Sequence, residues 1–140
     1  MNRFYEFLQS NTDKYVFLPL KIYWTILFIL TTIPGNSLPK TIKISDKIEH
    51  LVAYSILAFL LSFAIHFKKK FSPTKIFIWC IILVSLYGGF DEIHQMFIPM
   101  RSAEWLDFLA DFIGAILGTA IAIYIMVKGK IKTENSALEN

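Results

Sequence analysis

Charged residues are scarce in this sequence, and their scarcity argues against an ordinary soluble domain. Lys, Arg, Asp and Glu make up 18% of the 140 residues, whereas soluble domains are about a quarter charged. Cys80 is the single cysteine, so no disulfide can form within the chain. The sequence also lacks an internal repeat, a Gly-rich phosphate loop and an H-x-x-x-H or H-E-x-x-H metal motif. The chain is long enough for one domain, and its 55% hydrophobic content indicates a membrane protein.

Four apolar segments predict an all-α membrane protein with four transmembrane helices. They cover residues 15–33, 48–67, 76–98 and 105–127, and about 20 apolar residues suffice to cross a bilayer. The first segment is the weakest because Pro19 and Lys21 interrupt it, and a cleavable signal peptide is its alternative. We therefore divide the chain into an N-terminal segment (1–14), a membrane domain (15–127) and a polar tail (128–140) that we expect to be frayed.

The distribution of Lys and Arg predicts that both termini are cytoplasmic. With four spans, one side carries nine basic residues: Arg3, Lys14, Lys68, Lys69, Lys70, Lys75, Lys128, Lys130 and Lys132. The other side carries four: Lys40, Lys43, Lys47 and Arg101. Positively charged loops favour the cytoplasm, so the protein is expected to be a multi-pass protein of a bacterial inner or plasma membrane. Such loops also account for the net charge of +3, and no nucleic-acid partner is expected.

Polar residues inside the apolar segments gather at one depth. Asp46, Glu49 and His50 open the second segment, Asp91, Glu92, His94 and Gln95 close the third, and Asp107 and Asp111 open the fourth. At 1.5 Å per helical residue, Tyr54, Asp91 and Asp111 each lie about 9–10 Å inside a predicted span. Ionisable groups in a bilayer cost roughly 3 kcal/mol each on insertion scales. We therefore interpret this polar belt, on the outer side of the membrane, as a functional feature.

Helical spacing places members of the belt on shared faces. Asp46, His50 and Tyr54 are four residues apart, as are Asp91 and Gln95, and Asp107 and Asp111. Gly114 and Gly118 continue the face of the two aspartates. Because a G-x-x-x-G pattern lets a neighbouring backbone approach closely, we expect those aspartates to face another helix and not lipid.

These residues resemble the VanZ-like family, which is named for a membrane protein that raises resistance to the glycopeptide teicoplanin. The similar residues are Asp46-Lys47-x-x-His50-x-x-x-Tyr54, Asp91-Glu92-x-x-Gln95, Arg101-Ser102 and Asp107-x-x-x-Asp111-x-x-Gly114. The resemblance spans about Asp46 to Gly118, roughly half the chain. The family often carries Asn at the position of Asp111. The resemblance implies a small helical membrane protein but supplies no agreed reaction.

We interpret the belt as an outward-facing polar cleft that binds or processes an envelope lipid head group or a lipid-tailed glycopeptide. The candidate catalytic residues are Asp91, His50 and Asp107, and the candidate substrate-binding residues are Asp46, Tyr54, Gln95, Arg101 and Asp111. Arg101 would hold an anionic group with its planar fork, whereas Glu92 is expected to pair with Arg101. The sequence does not decide whether there is turnover. The alternatives are a structural module of the cell envelope and a proton-linked carrier, which would need to be a homo-oligomer.

The sequence leaves cofactors open and names no metal ligand. An oxygen-rich or mixed site could draw on six residues: Asp46, His50, Asp91, His94, Asp107 and Asp111. Convergence of their side chains on one ion cannot be derived from spacing alone, because they lie on three different segments.

Overall fold

The described residues form six helical elements, and they include four spans long and apolar enough to cross a membrane. The computed structural model describes residues 3–35 and 46–138, with side chains at 7–35 and 46–129. The elements are α1 (Arg3–Ser10), a π-helical turn (Asp13–Phe17), α2 (Leu18–Thr32), α3 (Asp46–Lys69), α4 (Pro73–Gln95) and α5 (Trp105–Leu138). The described residues contain no strand. The spans are Asp13–Thr32, Asp46–Lys69, Pro73–Gln95 and Trp105–Gly129, which confirms the predicted all-α architecture.

The first span continues through the two residues that interrupt its apolar pattern. Pro19 occupies one of the first two positions of α2, where the missing N–H is tolerated. The π-helical turn precedes it directly, and such a turn accommodates a local disturbance of the i to i−4 ladder. Lys21 is exposed. Residues Asp13–Thr32 therefore form one continuous apolar span.

Short connections join α3 to α4 and α4 to α5. The Ser72 side chain accepts a hydrogen bond from the Lys75 amide and Pro73 begins α4, a combination typical of helix N-termini. Lys70 has φ of 52° and ends α3. At the other end of α4, Gly35 donates its amide to the Pro99 carbonyl at 3.2 Å, which ties the end of the first span to the α4–α5 connection.

Helices α3 and α5 form the tightest pair in the bundle. A Cβ on Gly114 would lie 2.5 Å from the Leu51 carbonyl oxygen, and one on Gly118 would overlap the Ser55 carbonyl oxygen. Small residues thus bring the two backbones into contact, as in other membrane helix pairs. This confirms the prediction that the face of α5 that carries Asp107 and Asp111 packs against another helix, which is α3. The outward faces stay apolar, with exposed side chains such as Ile78, Ile82 and Leu86 on α4.

The C-terminal region differs from the frayed tail that the sequence predicts. Helix α5 continues through the polar residues as far as Leu138, because nothing in the stretch after Val127 breaks a helix apart from the single Gly129. The last two residues, 139–140, lie outside the described part of the chain.

Candidate functional site

The polar residues of three helices meet at one end of the bundle, which we call the acidic end. It contains the start of α3, the end of α4 and the start of α5. Four carboxylates are buried there: Asp91 (1% exposed), Glu92 (8%), Asp107 (3%) and Asp111 (0%). We call these four residues the acidic cluster. Their burial shows that the belt predicted from sequence faces the interior of the bundle and avoids lipid.

Asp91 is held by two donors. The Tyr54 hydroxyl on α3 donates to Asp91 Oδ2 at 3.1 Å, and Gln95, one turn further along α4, donates to the same oxygen at 3.3 Å. Tyr54 is itself only 3% exposed. Gln95, one turn away on α4, and Tyr54 on α3 thus hold the Asp91 carboxylate in place. The contact with Tyr54 agrees with the similar depth predicted for Tyr54 and Asp91.

Asp111 pairs with His50 across the tight α3–α5 seam. Nδ1 of His50 lies 2.9 Å from Oδ1 of Asp111, and Oδ2 is buried without a hydrogen-bond partner among the described residues. Gly88 on α4 makes room for this carboxylate, because a Cβ at that position would lie 2.9 Å from Oδ2. The orienting partner of His50 is therefore Asp111 and not Asp46, which is exposed at the first turn of α3.

Lys47 supplies the permanent positive charge beside the cluster. Its Nζ lies 3.0 Å from Asp107 Oδ1 and 2.8 Å from Glu104 Oε2. The Lys47 ammonium lowers the pKa of Glu104, which precedes α5, below its ordinary value. Lys47 thus links the start of α3 to the start of α5 through one buried and one half-exposed carboxylate.

Glu92 caps the N-terminus of α5. Its Oε2 accepts a hydrogen bond from the Glu104 amide at 2.8 Å, and a carboxylate is stabilised at a helix N-terminus by the helix dipole. Its other oxygen, Oε1, is buried without a hydrogen-bond partner among the described residues. Glu92 was expected to pair with Arg101, and this prediction is wrong.

Arg101 contacts the first span instead. Its Nε and Nη2 donate to the carbonyls of Ile33 and Leu30 at 3.3 and 3.2 Å. The last carbonyls of a helix have no partner within the helix, so the guanidinium satisfies the end of α2. The sequence could not show this, because nothing in it says which unpaired carbonyls lie beside the α4–α5 connection.

His94 occupies an aromatic environment next to the cluster. Its ring stacks on Phe28 of α2 and on Phe90, with ring centroids 5.3 and 6.2 Å apart. Its Nδ1 is buried without a hydrogen-bond partner among the described residues. The side chain therefore packs between helices and belongs to the edge of the acidic end.

Of the predicted site residues, the structure brings together His50, Tyr54, Asp91, Gln95, Asp107 and Asp111. Sequence reasoning missed three participants. Lys47 is not among the predicted site residues, although it precedes His50 by three residues on one helix face. Glu92 is predicted to pair with Arg101 and not to join the site. Gly88 carries no prediction, although a glycine within a transmembrane helix can mark a close approach.

Three side chains at the acidic end are placed to hold a metal ion. One ligand atom each from His50, Glu92 and Asp107 lies within 4.8 Å of the others. Two of them are among the six possible donors named from the sequence, and Glu92 completes the group.

The comparison with known proteins identifies the family of the chain but no individual relative. No curated protein and no solved structure matches this sequence. A family model described as VanZ/LLP1 matches residues 4–127, which includes the first three spans, all but the last two residues of the fourth and every residue of the acidic cluster. Since this match covers well over half of the sequence, the chain belongs to the VanZ/LLP1 family.

Proposed function

We propose that this protein binds the head group of a membrane amphiphile at the acidic end and acts on it by proton transfer. One observation carries the proposal: four carboxylates from two helices are buried at one level, and two of them keep an oxygen without a hydrogen-bond partner among the described residues. Leaving such oxygens buried costs about 1–3 kcal/mol each. A fold that needed only packing would be more stable with apolar residues there.

His50 and Asp111 supply the acid–base pair in this proposal. The imidazole side chain is 10% exposed whereas the aspartate is fully buried, so His50 is the member that can reach a substrate. Asp111 fixes the ring orientation, and histidine is the side chain best suited to proton transfer near neutral pH. Asp107, beside the ring on α5, would stabilise positive charge that develops on it.

The apolar part of the ligand has a surface available at the same end. A depression of about 310 Å³ is lined by Phe28, Ile29, Thr32, Ile33 and Pro34 at the end of α2. Arg101 binds the Ile33 carbonyl and uses two of its five N–H donors for main-chain carbonyls. The remaining donors suit an anionic head group. Envelope lipids and lipid-tailed glycopeptides share this combination of an acyl chain and a polar head.

This arrangement supports an assignment to a bacterial inner or plasma membrane with the acidic end outward. The basic bias of the opposite side supports that orientation. A contribution to glycopeptide tolerance would follow if the bound head group were the drug or its target. The native role would then be lipid handling, with tolerance as its consequence.

A structural module is the second candidate, and the cross-helix bond from Tyr54 to Asp91 favours it. Under that hypothesis the cluster only fixes the register of the helices. A carrier is less well supported, since the other half of the described bundle contributes neutral buried groups, Ser62, Cys80 and Thr119.

Conservative substitutions separate these hypotheses. Asp91→Asn and Asp107→Asn keep the side-chain shape and remove the charge, and Glu49→Gln is a matched control at an exposed position of α3. We expect wild type and Glu49→Gln to protect a sensitive host against a lipid-tailed glycopeptide and to retain the same co-purifying lipids by mass spectrometry. The two aspartate variants should fold normally and lose both properties.

Two other results would count against the proposal. If both aspartate variants protect as well as wild type at matched abundance, the cluster does not bind or process the ligand. If both unfold, the carboxylates hold the bundle together and the structural module is the better description.

A further inference from the structure

We infer that His50, Glu92 and Asp107 form a binding site for one divalent transition-metal ion of the Zn²⁺ or Mn²⁺ type. Each offers a ligand atom, and the three atoms lie within 4.8 Å of one another. Ligand atoms around a tetrahedral ion at about 2.1 Å are separated by roughly 3.4 Å. The ligand atoms therefore need to approach one another by at most about 1.4 Å, which rotamer adjustment provides.

The histidine is oriented for coordination by its contact with Asp111. Nδ1 of His50 lies 2.9 Å from Asp111 Oδ1; when Asp111 is ionised and the ring is neutral, Nδ1 donates its hydrogen to that oxygen. The lone pair then belongs to Nε2. Metal-binding histidines almost always donate their other N–H to a carboxylate or carbonyl, which fixes the tautomer and raises the basicity of the ligand.

Glu92 provides an independent indication that a ligand is needed. Its Oε2 is bonded to the Glu104 amide, whereas Oε1 is buried without a hydrogen-bond partner among the described residues. The residue is only 8% exposed. A buried carboxylate oxygen without a donor is costly, and a cation bound at that oxygen would remove the cost.

The charge balance of the acidic end also favours a cation. Four carboxylates are buried, while the basic groups bonded to them are Lys47 and His50. Buried charges persist when they are paired or coordinate metals. The ammonium of Lys47 contacts one oxygen of Asp107 and is also bonded to Glu104, so it can retain Glu104 when an ion occupies the cluster.

The donor set selects the class of ion. Two carboxylates and one imidazole suit Zn²⁺ or Mn²⁺ better than Mg²⁺ or Ca²⁺, which prefer oxygen ligands alone. Three protein ligands leave coordination positions open, which distinguishes catalytic from structural zinc sites. The inferred site therefore has room for a water molecule or a head-group oxygen.

The experiment uses the full chain in detergent micelles after removal of metal with a chelator. Zn²⁺, Mn²⁺ or Co²⁺ is titrated in, stoichiometry is measured by elemental mass spectrometry, and Co²⁺ binding is followed by visible absorption. We expect one ion per chain and a Co²⁺ spectrum typical of mixed nitrogen and oxygen coordination. Glu92→Gln and Asp107→Asn should weaken binding by at least about 100-fold, since changing only a residue that is hydrogen-bonded to a metal ligand already costs about 10–100-fold. Glu49→Gln, exposed on α3, should bind like wild type.

Three outcomes would overturn the inference: no stoichiometric binding by wild type, unchanged affinity in Glu92→Gln, or an equal loss in Glu49→Gln. If a cluster variant fails to fold, the Co²⁺ spectrum of wild type decides, because an ion held by surface carboxylates would lack nitrogen coordination. The titration contains no envelope lipid or glycopeptide, so its failure leaves the proposed head-group function, with His50 as the proton-transfer group, standing. Stoichiometric binding would instead occupy Nε2 of His50, and a water molecule on the ion would then take over the proton transfer. Loss of protection in the aspartate variants is measured separately, so the two proposals can fail independently.

Discussion

Replacing Gly118 by alanine should loosen the α3–α5 pair although the change adds a single methyl group. The new Cβ would overlap the Ser55 carbonyl oxygen and lie 2.8 Å from its carbon and 3.0 Å from its Cα. Ordinary Cβ contacts begin at 3.4 Å. All three neighbours are backbone atoms, so no side chain can rotate away, and the helices themselves must separate.

The expected magnitude combines two opposing effects. Overpacking at a well-packed contact costs about 1–3 kcal/mol, whereas alanine in place of glycine within a helix gains about 0.5–1 kcal/mol. The difference is a loss of about 0–2.5 kcal/mol. Because all three neighbours are backbone atoms, we expect Gly118→Ala to lie in the upper part of this range and to lower the free energy of unfolding by about 1–2.5 kcal/mol. Gly118→Leu, with a larger side chain at the same place, should be more destabilising still.

Reversible unfolding by a denaturing detergent, followed by circular dichroism, measures this change. Gly89→Ala is the matched control, since its Cβ would meet only a ring carbon of Phe108 at 3.7 Å. That variant should be as stable as wild type or more stable. If Gly118→Ala matched Gly89→Ala, the two backbones would not be in contact and the acidic face of α5 would not be sealed against α3.

Three further results are expected. In a Cys80→Ser background, a cysteine at Ser102 should react with an impermeant thiol reagent from outside and one at Ser72 should not, whereas labelling at Ser72 alone would invert the topology. Arg101→Gln should lower the free energy of unfolding by about 1–2 kcal/mol in the same detergent assay, because it removes charged donors from the end of α2. Tyr54→Phe should cost about 1 kcal/mol by removing a buried donor. Unchanged stability in either variant would show that the corresponding hydrogen bond does not form in the protein.

The spans were predictable because hydrophobicity and length are local properties of the sequence. The faces were predictable for the same reason: helical spacing placed Asp107 and Asp111 together and set Gly114 and Gly118 on the side that α3 approaches. The first span was the weakest prediction, yet it forms because Pro19 falls near the start of α2, where proline is tolerated.

Pairing between helices was not predictable, since it depends on rotation and translation of one helix against another. His50 could have been oriented by Asp46 on its own helix, but the close approach of α5 gives it Asp111. Arg101 was expected to bind a carboxylate, whereas it donates to the carbonyls of Leu30 and Ile33 at the end of α2. The sequence therefore predicted most of the residues that the structure brings together, but several of their hydrogen-bond partners were wrong.

The backbone contact between α3 and α5 has a consequence for the synthesis and membrane insertion of the protein. These helices are not consecutive: α4 emerges between them, and the seam needs Gly114 and Gly118 of the last span. Chains are made from the N-terminus onwards. His50 therefore lacks its partner Asp111 while α3 and α4 are already in the membrane and α5 has not yet been made. A nascent chain that ends before about residue 118 would hold polar residues with no matching helix. Quality-control proteases should therefore remove truncated chains far faster than the completed bundle.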